Sequence, residues 1–263
     1  MLLRSLVLVP LALIAATPAG ASPKAKAPKP AEKPYVAPTQ PPEAPAANAD
    51  DTAGDTCPPG TTLHKTKTER YCFRPNYAKE GKWTHWYDTG QKKAETEYVN
   101  GKRHGVRVQW YENGNKKEES RWKDDKEDGL ASFWDKEGRA TESIEYRDGK
   151  KHGQYGAWEK GLKREESTWD NGQRSGKTAY YFDDGKTRSE EIDYKAGKTN
   201  GKHTWNHPNG KKKVEMTFAM GRKNGLQIEY TLQGGFFQAV CFRDTTEMWR
   251  TQSEADARAK ACD

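Results

Sequence analysis

The stretch GKWTHWYDTGQKKAETEYVNGKRHG, residues 81–105, contains one complete copy of a unit that fills the middle of the chain. Seven glycines begin the copies at spacings of 23 to 25 residues: Gly81, Gly105, Gly129, Gly153, Gly176, Gly201 and Gly225. A second glycine follows eight or nine residues later: Gly90, Gly114, Gly138, Gly161, Gly185, Gly210 and Gly234. Such regularity predicts an array in which each unit packs on its neighbours. Arrays of this kind usually bind other molecules, so the sequence favours a non-enzymatic protein.

Each unit has the pattern of a β-hairpin. Two short segments with strand character, 82–87 and 92–99, are separated by the turn residues Asp88-Thr89-Gly90. The pair Asn100-Gly101 favours a tight turn into the next unit. Seven copies predict about fourteen strands in one antiparallel meander. The predicted fold is therefore all-β: an elongated single-layer antiparallel sheet of about seven hairpins, with a short C-terminal helical cap.

Aromatic residues recur at two positions of the unit, one near the end of each predicted strand. Residues two apart on a strand share a face, and small or aliphatic residues lie two positions before the second aromatic set. We therefore expect both sets to form one buried aromatic ladder across the strands. Its members are Trp86, Trp110, Trp134, Trp158, Tyr181 and Tyr230 from the first set, and Tyr98, Trp122, Tyr146, Trp169, Tyr194 and Phe218 from the second.

Charged residues recur between the aromatic positions. Lysine or arginine precedes most of a set of glutamates, Glu95, Glu119, Glu166, Glu191 and Glu215. We interpret them as a solvated face, opposite the ladder, whose charges pair. A charged recognition strip is the alternative. The net charge is +7, but positive and negative residues are interleaved through the repeats, which predicts no nucleic-acid partner.

The N-terminal region predicts export. Residues 1–21 have the features of a secretory signal: Arg4, an apolar run over 6–16, and the small residues Ala19-Gly20-Ala21. The run is short for a membrane span, so we expect no transmembrane segment after cleavage. An uncleaved anchor is the alternative. Residues 22–55 hold eight of the 14 prolines and predict a disordered tether. The expected location is the periplasm, the cell envelope or the medium.

Four cysteines flank the repeats, and an exported chain favours disulfides. Of three possible pairings, we expect the local ones, Cys57–Cys72 and Cys241–Cys262, because each would hold one end of the array. Residues 56–80 would then form an N-terminal cap before the repeats at 81–242. Residues 243–263 would form a C-terminal cap with a short helix after Ser253. A zinc site is the alternative, but the chain has no C-x-x-C motif. We expect no metal and no cofactor.

The pattern of glycines with Trp86-Tyr87, Tyr98, Trp110-Tyr111 and Trp122 resembles the variant MORN repeat. The resemblance covers roughly residues 79–242. In bacteria this repeat is often found in proteins called toxin–antitoxin system YwqK family antitoxins. The resemblance implies a twisted sheet of hairpins used as a scaffold or protein-binding surface. An exported chain with disulfides is not placed to neutralise a cytosolic toxin, so an antitoxin or immunity-type role ranks below a scaffold that binds a protein.

Residues that break the period are the candidates for function. In the sixth unit Asn206 takes an aromatic position and Pro208 follows it, which predicts a local bulge or irregular turn. Aromatic residues outside the ladder are candidate binding residues: Trp83, Tyr87, Tyr111, Phe133 and Trp205. Stacked on sugars, they would make the chain a glycan or cell-wall binder. Glycan binding is thus the second hypothesis. The competing family resemblance is to the cell-wall repeats, which are also rich in Gly, Trp and Tyr.

The histidines and carboxylates suggest no reaction. His104 and His152 directly precede repeat glycines and are expected to be turn residues. His203 and His207 are expected to share a strand face near Trp205, without a third metal ligand. The sequence has no nucleophile elbow and no phosphate-binding glycine loop. An exported hydrolase is therefore ranked third, after a protein-binding scaffold and a glycan binder.

Overall fold

The computed structural model describes residues 56–260 and 262. The predicted signal at 1–21 and the predicted tether at 22–55 lie outside the described residues. The described segment forms one open antiparallel sheet of 19 strands, followed by a short helix. This confirms the all-β class and the C-terminal helix. Within the described residues, no helix has the length and apolar character needed to cross a membrane.

The strands lie in the sheet in the order of the chain, each antiparallel to the next. Their bounds are β1 Thr62–Lys65, β2 Glu69–Phe73, β3 Lys79–Trp86, β4 Lys92–Val99, β5 Lys102–Trp110, β6 Lys116–Lys123, β7 Lys126–Glu127, β8 Gly129–Trp134, β9 Ala140–Arg147, β10 Lys150–Glu159, β11 Leu162–Asp170, β12 Gln173–Tyr181, β13 Arg188–Lys195, β14 Lys198–Asn206, β15 Lys212–Ala219, β16 Arg222–Lys223, β17 Gly225–Tyr230, β18 Phe236–Arg243 and β19 Thr246–Thr251. Helix α1 spans Glu254–Ala259. The two-residue strand β7 pairs with β6, as β8 does, and β16 pairs with β15, as β17 does, so each short strand and the strand that follows it occupy one position in the sheet. Strands β3 to β18 therefore form seven hairpins.

Two kinds of turn connect these strands. Inside a hairpin, the Gly90 amide donates to the Tyr87 carbonyl, and the Tyr87 amide donates to the Gln91 carbonyl. Gly90 has a φ of 88°, the left-handed conformation that closes a three-residue hairpin loop. Between hairpins, both central residues have positive φ, 50° at Asn100 and 81° at Gly101. This is the turn type whose twist matches that of the flanking strands.

Irregular units keep the same geometry with small changes. The fourth hairpin, which is one residue shorter, closes through the two-residue turn Lys160-Gly161, with φ of 51° and 81°. The turn that contains Pro208 has the hydrogen bonds of the other hairpins, from Gly210 to His207 and from His207 to Lys211. The irregular turn predicted for the sixth unit is therefore not present, because proline fits this position of the turn without losing a bond.

The strand register changes by one residue near the end of the first strand of every hairpin. In the first hairpin the change lies between His85 and Trp86, and in the sixth it lies between Trp205 and Asn206. A β-bulge of this kind opposes two residues on one strand to a single residue on the other, so simple alternation fails there. The bulge predicted for the sixth unit alone is thus shared by all seven.

The strand register places the two aromatic sets on opposite faces, and the prediction of one ladder was wrong. Gly81 pairs with Tyr98, and Trp86 lies five residues after Gly81, so alternation along β3 turns Trp86 to the other face. Trp83 pairs with Thr96, and its ring meets the Tyr98 ring edge-on at 6.5 Å. These residues and their equivalents form face A, which carries Tyr98, Trp122, Tyr146, Trp169, Tyr194 and Phe218. Thr84 pairs with Glu95. These two residues and their equivalents form face B, which also carries Trp86, Trp110, Trp134, Trp158, Tyr181 and Tyr230 beside the recurring glutamates.

Both faces bury side chains along the middle of the sheet. On face A the buried residues are small or aliphatic, including Thr96, Ser120, Ile144, Ser167, Ile192 and Met216. On face B the tryptophans Trp110, Trp134 and Trp158 are buried as well. Long aromatic and charged side chains at the flanking positions cover these central residues, so a single sheet excludes water without a second layer.

The two ends are held as predicted. The Cys57–Cys72 and Cys241–Cys262 disulfides are both present, with Cα–Cα distances of 5.6 Å in each. The Ser253 hydroxyl accepts a hydrogen bond from the Asp256 amide at 3.2 Å and caps α1. Helix α1 packs against the last two strands, β18 and β19. The second disulfide thus ties the segment after α1 back to β18.

Substitutions at two turn glycines test how closely adjacent turns pack against each other. Gly161→Ala should cost about 1–2 kcal/mol, because alanine is strained at its φ of 81° although nothing lies within 4 Å of the new Cβ. Gly185→Ala should cost more, because its Cβ would meet the Lys163 backbone nitrogen at 2.9 Å. Urea unfolding of the two variants measures the difference. Equal losses would contradict the packing between adjacent turns.

Removing the second disulfide should loosen only the C-terminal end. In a Cys241→Ser, Cys262→Ser variant we expect faster amide exchange over Glu254–Ala259 and little change in β9 to β12, since each hairpin contacts only its neighbours. Hydrogen exchange with mass spectrometry gives the regional rates, with a Cys57→Ser, Cys72→Ser variant as the matched control. A uniform loss of protection across the sheet would refute nearest-neighbour coupling.

Candidate functional site

The glutamates of face B form ion pairs with cations three residues before them. The distances are 2.9 Å for Lys92–Glu95, 2.7 Å for Lys116–Glu119, 3.1 Å for Lys163–Glu166 and 3.0 Å for Arg188–Glu191, and Lys212–Glu215 forms the same pair. Burial, followed by a hydrogen bond to Glu166, raises the pKa of Tyr181 to about 12. The charges of face B are thus largely compensated within the repeats, as expected of a solvated face.

Face A contains polar networks that satisfy buried groups. The Trp122 indole donates to the Ser120 hydroxyl at 2.8 Å, and that hydroxyl donates to Glu118 at 2.8 Å. Arg107 completes the chain with a 2.9 Å bond to Glu118. The fourth hairpin repeats the arrangement with Trp169, Ser167 and Glu165, at 3.0 Å for each bond. These residues hold one another in place, which is the usual state of buried polar groups.

A column of cations lies over the aromatic residues of face A. Seven equivalent positions near the strand starts hold Lys79, Arg103, Glu127, Lys151, Arg174, Thr199 and Lys223. The five cations lie over rings of this face; for example, the Arg103 guanidinium carbon is 3.7 Å from the Trp122 ring centroid. Burial, with the charge of Glu118 adding to it, raises the pKa of Glu127. Thr199 has neither charge nor length, so the column is interrupted there.

An open groove lies on face A beside the sixth hairpin. Its volume is about 610 Å³, and its lining includes Phe182, Glu190, Trp205, Val214, Met216 and Phe218. Two further substitutions within the array make it apolar. Val214 replaces the glutamate found at this position in the second to fifth hairpins, and Met216 replaces the serine of the second and fourth. Loss of the long polar side chains that cover face A elsewhere exposes the apolar surface.

One edge of the groove is built by a histidine stacked on a tryptophan. The ring centroids of His203 and Trp205 are 3.6 Å apart, and His203 Nε2 lies 2.5 Å from Glu190 Oε1. Burial lowers the pKa of His203 although Glu190 opposes the shift. His203 is therefore neutral near pH 7 and donates from Nε2 to the carboxylate. The Trp205 ring is held rigidly in this arrangement.

The predicted binding residues have different environments. Trp83 lies on face A below Lys79, whose Nζ is 4.4 Å from its ring centroid, and Phe133 lies on the same face. Trp205 lines the groove. The Tyr87 hydroxyl donates to the Trp110 carbonyl at 2.9 Å, and the Tyr111 hydroxyl donates to the Trp134 carbonyl at 3.0 Å. The two tyrosines therefore link successive hairpins.

The histidine predictions need correction. His203 lies on face A, whereas His207 lies in the turn after β14, where its Nε2 bonds the Tyr230 carbonyl at 3.2 Å as Tyr87 does in the first hairpin. His104 and His152 lie inside β5 and β10 and not in turns. The positive φ belongs to the glycines that follow them, 91° at Gly105 and 74° at Gly153. Within residues 56–260 and 262, no three His, Cys, Asp or Glu side chains cluster around a metal-sized space.

Sequence reasoning did not identify most of the groove. From the sequence, Phe218 is expected in the buried ladder and Met216 on the same face two residues before it, and Val214 is not singled out. A usable signal exists in the alignment of the repeats with one another: the charge missing at Thr199 and the carboxylate missing at Val214 both fall in the sixth hairpin. Only the pairing of β14 with β15 shows that these changes meet on one face.

Comparisons with known proteins show similarity to a repeat family. Residues 79–100, 103–124 and 199–219 match the family described as MORN repeat variant. No curated protein matches the sequence. Solved structures with local similarity include a Glycosylation Associate Protein (Gap123) complex from Streptococcus agalactiae, at 12% identity over 48% of this chain and 20% of that chain, with a TM-score of 0.22. The crystal structure of TarM matches at 14% identity over 46% of this chain and 20% of that chain, with a TM-score of 0.19.

The chain spans about a fifth of the length of these structures, and at such TM-scores the likeness supports no conclusion about function. The family matches are more informative, because each one coincides with a single hairpin: the first, the second and the sixth. The equivalent turns and bulges of the other hairpins extend the same unit across the sheet. The three matched hairpins are therefore repeats of the MORN variant type, and the chain contains MORN repeats.

Proposed function

We propose that this chain is an exported, non-enzymatic scaffold that binds a partner protein through the groove on face A. The observation that carries the proposal is the interruption of the repeat in the sixth hairpin. There, Trp205, Met216 and Phe218 line an open apolar groove, while equivalent surfaces elsewhere are covered by charged side chains. Apolar grooves with aromatic walls and a few polar groups are the usual form of a recognition site.

The remainder of the chain fits a scaffold. Its carboxylates recur with the repeat and pair with cations, whereas a catalytic pair would be an exception to the repeat. Two disulfides at the ends of the array favour an oxidising compartment, in agreement with the predicted signal. Export and the absence of a reaction are thus parts of the same proposal.

The glycan hypothesis receives less support. It required a row of free aromatic rings, but the hydroxyls of Tyr87 and Tyr111 bond to backbone carbonyls and Lys79 lies over Trp83. Trp205 remains as a stacking surface beside the polar groups of Glu190 and Asn206. A single short platform fits an apolar or aromatic protein side chain better than an extended polysaccharide.

Site-specific photocrosslinking tests the groove. A photoreactive residue in place of Lys213, at the rim of the groove, should crosslink to one protein in cells that export the chain. The same residue in place of Lys117, the equivalent exposed position in the second hairpin, should not. Immunoblotting and mass spectrometry identify the product. Equal crosslinking at both positions would show that the groove is not the site.

A second variant checks the anchor. Trp205→Ala should reduce the crosslink at position 213 by roughly tenfold or more, because buried aromatic anchors contribute about 2 kcal/mol or more to interfaces. Tyr77→Ala is the control, since this tyrosine is 83% exposed and far along the chain from the groove. Thermal unfolding of both variants verifies the fold. An undiminished crosslink in Trp205→Ala would contradict the proposal.

A further inference from the structure

The sixth hairpin repeats a binding site for a guanidinium group but lacks the arginine that fills it elsewhere. We infer that the groove takes an arginine side chain from an extended segment of the partner protein. The guanidinium would lie against Glu190 and over the rings of Trp205 and Phe218. This inference rests on the proposed function, because it names the chemistry that the groove recognises.

The fourth and fifth hairpins show how such a site works. Arg174 forms an ion pair with Glu165 and also bonds the Thr178 hydroxyl at 3.3 Å. Its guanidinium carbon is 4.9 Å from the Trp169 ring centroid and 5.9 Å from that of Tyr180. The Tyr194 centroid is also 5.9 Å away. One arginine thus uses a carboxylate and three aromatic rings at once.

The same arrangement of one glutamate and three aromatic rings, here called the cradle, recurs one repeat later around Thr199. Glu165 pairs with Tyr180 and Trp169 with Arg174 in the strand register. In the next repeat Glu190 pairs with Trp205, and Tyr194 pairs with Thr199. Phe218 then takes the place that Tyr194 has in the first cradle. The carboxylate and the three ring positions are retained, but Thr199 replaces the arginine and His203 replaces Thr178. The His203 ring bonds Glu190, stacks on Trp205 and lies 5.6 Å from the Phe218 ring centroid.

Among the residues that the structure describes, Glu190 lacks the arginine or lysine partner that the glutamates at the equivalent positions of other hairpins have. Glu118 pairs with Arg107 at 2.9 Å, Glu142 pairs with Lys151 at 3.7 Å, and Glu165 pairs with Arg174. In the part of the chain that the structure describes, the ion-pairing partner of Glu190 is His203 alone. Because burial lowers the pKa of this histidine, His203 offers Glu190 a hydrogen bond and not the permanent positive charge that Arg107 and Arg174 supply to its equivalents.

The other cations of the groove do not fill the site. Lys213 and Lys223 both contribute to the lining, but Lys223 Nζ lies 4.8 Å from the Phe242 ring centroid. Among the described residues no side-chain cation lies over Phe218, and neither lysine forms an ion pair with Glu190. His203 takes part of this space, but Glu190, Trp205 and Phe218 all line the open groove. Their groove-facing surfaces therefore remain available to an external cation.

Arginine fits this surface better than lysine or an apolar side chain. Its guanidinium is planar, stacks on aromatic rings and is more weakly hydrated than an ammonium, so it loses less on entering an apolar groove. It can also donate two hydrogen bonds to one carboxylate. An apolar side chain would cover Glu190 without supplying a positive charge to it.

A peptide titration tests the inference on the full-length protein. The probe is acetyl-Gly-Arg-Gly-amide, and its control is the same peptide with citrulline, which is nearly isosteric and uncharged. The NMR signal of the Trp205 indole, assigned with Trp205→Phe, should shift saturably with the arginine peptide and at least tenfold more weakly with the citrulline peptide. The same response to both peptides, or no saturable shift up to roughly 10 mM, overturns the inference.

Two substitutions test the proposed arginine site: one fills it with an arginine from the chain itself, and the other removes its negative charge. Thr199→Arg supplies the missing guanidinium from within and should abolish the response, whereas Thr89→Arg adds the same charge at an exposed turn and should leave it unchanged. Glu190→Gln keeps the shape and should weaken binding about tenfold, as expected for loss of a charged hydrogen bond. Circular dichroism verifies the fold of each. Binding that survives Thr199→Arg refutes the site.

Crosslinking at position 213 separates this inference from the proposed function. If Thr199→Arg removes the crosslink to the partner, both are supported. If the crosslink persists unchanged in Thr199→Arg but is lost in Trp205→Ala, the groove binds a partner without using arginine, and the inference fails alone. If position 213 yields no specific crosslink while the peptide titration behaves as expected, the groove recognises arginine but the proposed protein partner is refuted.

Discussion

The antiparallel hydrogen-bond ladder between successive strands is the interaction on which the rest of this structure depends. A sheet of one layer has no second layer to fix its register, so the ladder and its turns must do so alone. Glycines with positive φ, such as Gly90 and Gly101, close these turns without strain. Tyr87 and Tyr111 add a bond from each hairpin to a backbone carbonyl 23 residues further on. Register is therefore set locally and transmitted from one hairpin to the next.

The lack of a second layer also explains the composition of the repeats. Small residues such as Thr96 and Ser120 occupy the middle of face A, and long side chains fold over them. Cations above aromatic rings serve this purpose well, because their aliphatic parts cover apolar surface while the charged ends reach water or a carboxylate. A chain with very low mean hydropathy can thus exclude water from both faces of one sheet. Where Val214 and Met216 replace polar residues of other hairpins, this cover is reduced and the groove lies open.

Much of the architecture could be predicted from the period of the repeats. The spacing of the glycines, the turn pairs and the flanking cysteines predicted the hairpins, the meander, the local disulfides and the helix after Ser253, and the structure confirms them. The faces could not be predicted by counting residues. Trp86 lies five residues after Gly81, which pairs with Tyr98, so the register between the strands places the two aromatic sets on opposite faces. This register depends on backbone hydrogen bonds between strands, which alternation within one strand does not report.

The candidate site shows the same division. By itself, the sequence determined the all-β class, the number of hairpins and the unit in which the repeat is broken, because these depend on local turn chemistry and on a period that can be counted. Only the tertiary structure decided that Val214, Met216 and Phe218 meet Glu190 and Trp205 on one face, and that Tyr87 and Tyr111 are joined to the next hairpin. These residues come from different strands, and their proximity is set by the register across the sheet, which the order of residues along the chain does not contain.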